Sequence, residues 1–205
     1  MNLYLVGVNH EATRYKQVRG FTESNLTFID VIQSAIMKHS FDLLAEEEQP
    51  ELLIKYSAIS LLDAIHRAHG IRHEFVDPNA RERNVIGYKG FEQLCLLEPI
   101  NNIFGVEGDY EAMKVAHAHD IAHQYSIRER FWLNELQRQA ANTVLFVCGD
   151  LHLRTFPKLL AAEGIVSEVI KGGIGVDYSI IEYKAFEFAE ANNMFDETDC
   201  FCLQS

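Results

Sequence analysis

The sequence predicts an α/β fold: a three-layer sandwich on a mainly parallel sheet of about four strands, with helices on both faces and two related halves. Two apolar runs carry that prediction. Asn2-Leu3-Tyr4-Leu5-Val6-Gly7-Val8-Asn9-His10 and Thr143-Val144-Leu145-Phe146-Val147-Cys148-Gly149-Asp150-Leu151-His152 each stop at a glycine and place a histidine three residues later. Neither run alternates with polar residues, which suits a strand buried on both faces under helices. The order strand, Gly-x-x-His, helix, strand occurs twice, and no linker or low-complexity stretch divides the chain, so residues 1–205 read as one domain.

Between the two motifs the elements follow from local pattern. Residues 10–25 are polar and irregular, with Arg14, Lys16 and Arg19 near the end of the first strand, and Ser24 or Asn25 is placed to cap a helix starting near Leu26. Phe28, Val31, Ile32, Ala35 and Ile36 recur at helical spacing, so this helix covers one face of the sheet. Glu46-Glu47-Glu48 before Pro50 reads as a solvated break. A second helix, about 57–69, carries Ile59, Leu62, Ile65 and His66 on neighbouring turns and stops at Gly70. Residues 71–78 read as the next strand, closed by Pro78, with Asp77 at its carboxyl end. Residues 79–108, rich in glycine, proline and asparagine, read as a loop-rich insertion or lid. No proline or glycine interrupts 109–139, which predicts one long helix or two broken near Tyr125-Ser126. After the second motif, Pro157 sits early in a helix that stops at Gly164. Residues 165–170 form the fourth strand, and a helix over about 178–192 ends the fold.

Composition bounds the function. Hydrophobic residues make up 48% and charged residues 23%, an ordinary globular balance. With 18 Lys and Arg against 30 Asp and Glu the net charge is −12, which argues against nucleic acid or an anionic membrane surface as partner. No apolar stretch reaches the roughly 18–20 residues of a membrane helix, and no secretory signal is evident. Cysteines at 95, 148, 200 and 202 form no zinc or disulfide framework, which fits a reducing, cytoplasmic setting. The tail Cys202-Leu203-Gln204-Ser205 has the length of a prenylation box, but Gln204 is a poor match for an aliphatic position and acidic residues precede it, so a frayed terminus is the plainer reading.

The chemistry concentrates in few side chains. Two histidines placed identically after matching strands meet no packing requirement, and at the carboxyl edge of a parallel sheet they converge on the crevice where such folds bind ligands. His10 and His152 are therefore candidates for general base or metal ligand. Asp77 adds a carboxylate able to orient an imidazole or ligate a cation, or else to initiate the turn at Pro78. On the long helix, Arg128 could stabilise an oxyanion, with Glu129 as its partner or as a base, against a plain reading as a solvated charge pair beside Trp132.

The paired Gly-x-x-His motifs, the strand ending at Asp77, the Arg128-Glu129-x-x-Trp132 helix, and Gly149-Asp150-Leu151-His152-Leu153 leading into Lys158-Leu159-Leu160 resemble the TraB/Tiki, erythromycin-esterase and heme-binding lipoprotein superfamily. The resemblance follows motif order over most of the chain. It implies His10, Asp77, Arg128, Glu129 and His152 as site residues. The activity it implies is a hydrolase of ester or amide bonds in a small molecule or peptide, with His10 and His152 as base or as ligands of a divalent metal. Its alternative is a non-catalytic module that binds a ligand or heme. An Asp stands where the family usually has glutamate after the second strand, and the chain is shorter than typical members.

Two other clusters compete. His117, His119 and His123 fall in one helical stretch, and His119 and His123 share a face at a spacing that can bind zinc, but no Glu or distal third ligand completes a motif. Lys171-Gly172-Gly173-Ile174-Gly175 could cradle a phosphate ahead of a helix, yet lacks the Gly-Lys-Ser/Thr spacing, so a flexible loop is expected.

Overall fold

A computed structural model describes residues 1–89 and 110–195. They fall into two compact units, Met1–Asn79 with Arg130–Val176, and Ala80–Glu129 with the segment from Asp177. Both Gly-x-x-His motifs lie in the first.

That first unit is the predicted three-layer α/β sandwich. Its sheet has five strands, all parallel: β1 (Asn2–Val8), β3 (Leu43–Glu46), β5 (Arg72–Phe75), β6 (Thr143–Gly149) and β7 (Val166–Ile174), in the order β5-β3-β6-β1-β7. A small antiparallel pair, β2 (Arg14–Tyr15) with β4 (Ile59–Ser60), lies apart from it. Successive side chains of a strand point to opposite faces, and the central strands are apolar on both. Leu3 and Leu5 of β1, Leu43 and Ala45 of β3, and Val144, Phe146 and Cys148 of β6 pack with Trp132, Leu133, Leu136, Phe156 and Leu160. Val6 and Val8, Leu44, and Leu145 and Val147 face the other way, onto Phe28, Ile32 and Ala35 of α2 (Glu23–Lys38) and Leu61, Leu62 and Ile65 of α4 (Leu61–His69). Unbroken apolar runs are thus what a doubly covered parallel sheet requires.

The strand β3 was not anticipated. Four residues are too few for a periodicity to register, and the glutamates after it belong to the interior: Glu46, Glu47, Glu48 and Gln49 are all buried. The solvated break is replaced by a strand end and by α3 (Pro50–Lys55), whose first turn admits Pro50. Helix α2 starts earlier than expected, because Thr22 accepts from the Asn25 amide while the Asn25 side chain accepts from the Thr22 amide, a reciprocal cap. Helix α4 is capped by Ser60 and ends at Gly70, which takes the left-handed φ of 67°.

Helix α6 (Tyr110–Arg138) is continuous, with no break at Tyr125-Ser126; its last turns, from Arg130, belong to the first unit. After β6 comes a 3₁₀ turn, Asp150–Arg154, and then α7 (Phe156–Ala162). The stretch Lys171-Gly172-Gly173-Ile174 is neither phosphate cradle nor flexible loop but the last part of β7, paired to β1 with register shifts.

In the second unit, α5 (Ala80–Ile86), the remainder of α6 and α8 (Ile181–Ala191) are helical. Ala118, Ile121 and Ala122 of α6 and Ala185, Phe186 and Ala189 of α8 are buried, and Tyr125 meets Phe186 at 6.0 Å between ring centroids. The expected insertion therefore begins with a helix, and the rest of it, 90–108, lies outside the described residues, as do Cys95, Cys200 and Cys202. Cys148 is buried and reduced. Among the described residues no helix is long and apolar enough to cross a membrane.

Candidate active site

The two motif strands are neighbours in the sheet, in register Gly7 to Cys148 and Val8 to Gly149, so both histidine-bearing turns leave the same sheet edge side by side. After β1, Asn9 caps the single-turn helix α1 (His10–Thr13) by accepting from the Glu11 amide, which places His10 in its first turn. After β6, the 3₁₀ turn carries His152 as its third residue. Both turns are tied to the end of β7: the Asn9 amide donates to the Ile174 carbonyl at 2.8 Å, and the Gly173 amide donates to Asp150 Oδ1 at 2.5 Å.

The motif glycines explain how the turns fit together. A Cβ on Gly7 would collide with the Leu153 side chain and stand 2.7 Å from Asp150 Oδ1, so the first motif's glycine makes room for the second motif's turn. Gly172 on β7 flanks the same seat, and a Cβ there would stand 2.9 Å from Asp150 Oδ1. A Cβ on Gly149 would lie 3.7 Å from His10 Nε2, 3.6 Å from His152 Cδ2 and 3.4 Å from Glu47 Oε2. The structure thus brings the two predicted histidines to one spot over Gly149, and with them Glu47, which the sequence had left in the solvated break.

Glu47 is buried, yet both of its oxygens are engaged: Oε2 accepts from the Gly149 amide at 2.6 Å, and Oε1 stands 3.4 Å from His10 Nε2. A buried carboxylate beside an imidazole both orients the ring and stabilises its protonated form. His10 keeps 36% of its side chain exposed, whereas His152 is buried beneath Trp132, whose ring meets it edge-on at 4.6 Å. Trp132 in turn donates its indole N–H to Asp77 Oδ1 at 3.1 Å, and Gln49 Nε2 donates to Asp77 Oδ2 at 2.7 Å. Asp77 thus holds the indole that packs on His152.

Next along, Glu48 takes both ends of the Arg14 guanidinium, at 2.6 Å and 3.1 Å. Burial alone would lower the Arg14 pKa, but the hydrogen bond and charge of Glu48 outweigh it and hold the group further protonated than usual. The Arg14 guanidinium also lies 5.2 Å over the Tyr56 ring. Three consecutive glutamates are thus buried, each with its own partner, as buried charge requires.

Arg128 and Glu129 belong to the second unit, where Arg128 lies over the Tyr88 ring at 5.4 Å and Glu129 is buried. His117 is buried there, while His119 and His123 are exposed, in keeping with a histidine-rich helix face.

Among the described residues, the one group of three or more His, Cys, Asp or Glu side chains with ligand atoms all within 4.8 Å of one another is Asp63, His66 and His73. At Gly149 it is a ring carbon of His152, not a nitrogen, that lies nearest the shared spot.

The signal that could have found Glu47 is slight: a short apolar run, Leu43-Leu44-Ala45, ending in acids, as a strand would at a sheet edge. Set against known proteins, the chain finds no match: no family model, no curated protein and no solved structure.

Proposed function

We propose that this protein is a hydrolase of ester or amide bonds and that His10 and Glu47 form its reaction centre, against a wall made by the buried His152 and Trp132. The observation that carries the reading is the convergence of both Gly-x-x-His imidazoles over the Cα of Gly149, with a buried carboxylate beside the exposed one. Core packing has no use for that coincidence. Glu47, on the Nε2 side of His10, orients the imidazole. His10 takes a proton from water as the oxygen attacks the substrate carbonyl carbon, and returns it to the leaving group as the tetrahedral intermediate collapses. Glu47 stabilises the imidazolium in between, and the apolar wall of Trp132 lowers the local dielectric around the charges.

The family resemblance supports the same reading. It implies His10 and His152 as site residues with a carboxylate beside them; the acid it implies is Asp77, and the carboxylate that stands beside His10 is Glu47. A small-molecule or peptide substrate suits a site with one exposed imidazole.

The test is a panel of activated esters and amides assayed with the purified protein, with His10→Ala and Glu47→Gln, in the presence of chelator. Turnover that survives chelation and falls at least a hundredfold in both variants is the expected result. Turnover unchanged by either variant overturns the assignment. Saturable binding of a small ligand or heme that depends on the histidines, without hydrolysis, would replace the enzyme by a non-catalytic binding module.

A further inference from the structure

We propose a second site, a zinc-binding centre at the β5 edge of the sheet made by Asp63, His66 and His73. Asp63 and His66 stand one turn apart on α4, and His73 projects from the edge strand β5 toward them. Asp63 Oδ1 lies 3.1 Å from His66 Nε2 and 3.7 Å from His73 Nδ1, and all three ligand atoms fall within 4.8 Å of one another. Around a tetrahedral zinc, donors at about 2.0–2.2 Å from the metal stand roughly 3.3 Å apart. Two of the three edges are near that size, and the third is within 4.8 Å.

The hydrogen bonds behind these atoms turn a cluster into a ligand set. His66 Nδ1 faces the Ile71 carbonyl at 2.9 Å, and a carbonyl oxygen only accepts, so Nδ1 carries a proton and, in the neutral ring, Nε2 turns its lone pair inward. His73 Nε2 faces Glu46 Oε1 at 2.8 Å, so its proton is on Nε2 and its Nδ1 lone pair points inward too. Asp63 Oδ2 is held by Arg67 at 2.5 Å, leaving Oδ1 for the centre. With both rings neutral, two imidazole lone pairs and a carboxylate oxygen face one another, a set that a cation satisfies. Each ligand carries its own outer partner, including a carboxylate–histidine pair, which is how protein metal sites fix their ligands. Two histidines and one carboxylate suit zinc and leave a fourth position for solvent, which the 21% and 25% exposure of the Asp63 and His66 side chains admits.

The site bears on the first one through the chain. Glu46, which receives both His73 and the Ser60 hydroxyl, is the residue before Glu47, so a cation here braces the strand end that presents Glu47 to His10.

Chelator-stripped full-length protein titrated with zinc, against a chromophoric competitor, should take up one equivalent. Cobalt in its place should give the visible absorption of a tetrahedral ion. Zinc at a hundredfold above its Kd should raise Tm by about 5–10 °C. Asp63→Asn and His66→Gln, both on the solvent side of α4, should lose the cobalt band and weaken zinc at least tenfold with the fold retained by circular dichroism, while His10→Ala and His152→Gln keep both. No uptake means that a proton on His66, rather than a metal, joins these groups and overturns the proposal. So does uptake that is indifferent to Asp63→Asn and His66→Gln, or uptake that follows His10. Failure of this site leaves the chelator-resistant hydrolase untouched, and the reverse holds as well.

Discussion

The two Gly-x-x-His turns have the same sequence pattern and opposite physical roles. The turn after β1 offers an imidazole to solvent and packs its glycine against the neighbouring turn; the turn after β6 buries its imidazole under Trp132 and leaves its glycine open to the space between the rings. A repeated motif therefore marks where a site lies without telling which copy does the chemistry. In the proposed hydrolase, burial assigns that role to His10, because only a group within reach of water and substrate can exchange a proton with them.

The contrast makes graded predictions. Largest is His10→Ala, expected to lower kcat by about 10²–10⁴-fold with Tm nearly unchanged, as steady-state kinetics and calorimetry will show. If His152→Ala does the same with no loss of stability, the two turns are equivalent after all. Instead, His152→Ala should destabilise the fold by about 2–4 kcal/mol, the scale of large-to-small truncations in a core, measured by urea denaturation. Gly7→Ala should cost about 1–3 kcal/mol, because its methyl group meets Leu153 and Asp150 in a packed seat. Gly149→Ala is expected to change stability by less than about 1 kcal/mol, since its methyl finds ordinary contact distances, yet to impair turnover by filling the gap between His10 and His152.

The smallest effect lies away from both turns and tests whether burial or partners govern a histidine in this protein. Burial lowers the pKa of His117 and the charge of Glu182 only partly restores it. The unfolded chain then binds this proton first as pH falls below its ordinary 6.5, so stability declines from there down to the depressed folded value. Denaturation at stepped pH should show that decline, and His117→Gln should flatten it. A decline that persists in the variant belongs to another group.

The glutamate run is where reading from residues alone went furthest astray. Glu46, Glu47 and Glu48 looked solvated because three adjacent acids normally are. Their burial depends on partners far along the chain: His73, 27 residues on, for Glu46; the Gly149 amide, 102 residues on, for Glu47; and Arg14, 34 residues back, for Glu48. No local window holds those pairs. The same holds for Gly172, which reads as loop in a glycine-rich stretch but serves as the strand position where the 3₁₀ turn comes close.

By itself the sequence determined β1, β5, β6 and β7, the helices that cover the sheet and the places of the two histidines after β1 and β6, since all of these rest on periodicity and on glycine at a strand end, properties that neighbours along the chain express. Only the tertiary structure decided that β3 lies between β5 and β6, that Glu47 stands beside His10, that Asp77 serves Trp132, and that His66 and His73 stand against one aspartate. Each of those outcomes depends on desolvating a polar group against a distant partner, and that energy exists only once the sheet has brought the two together.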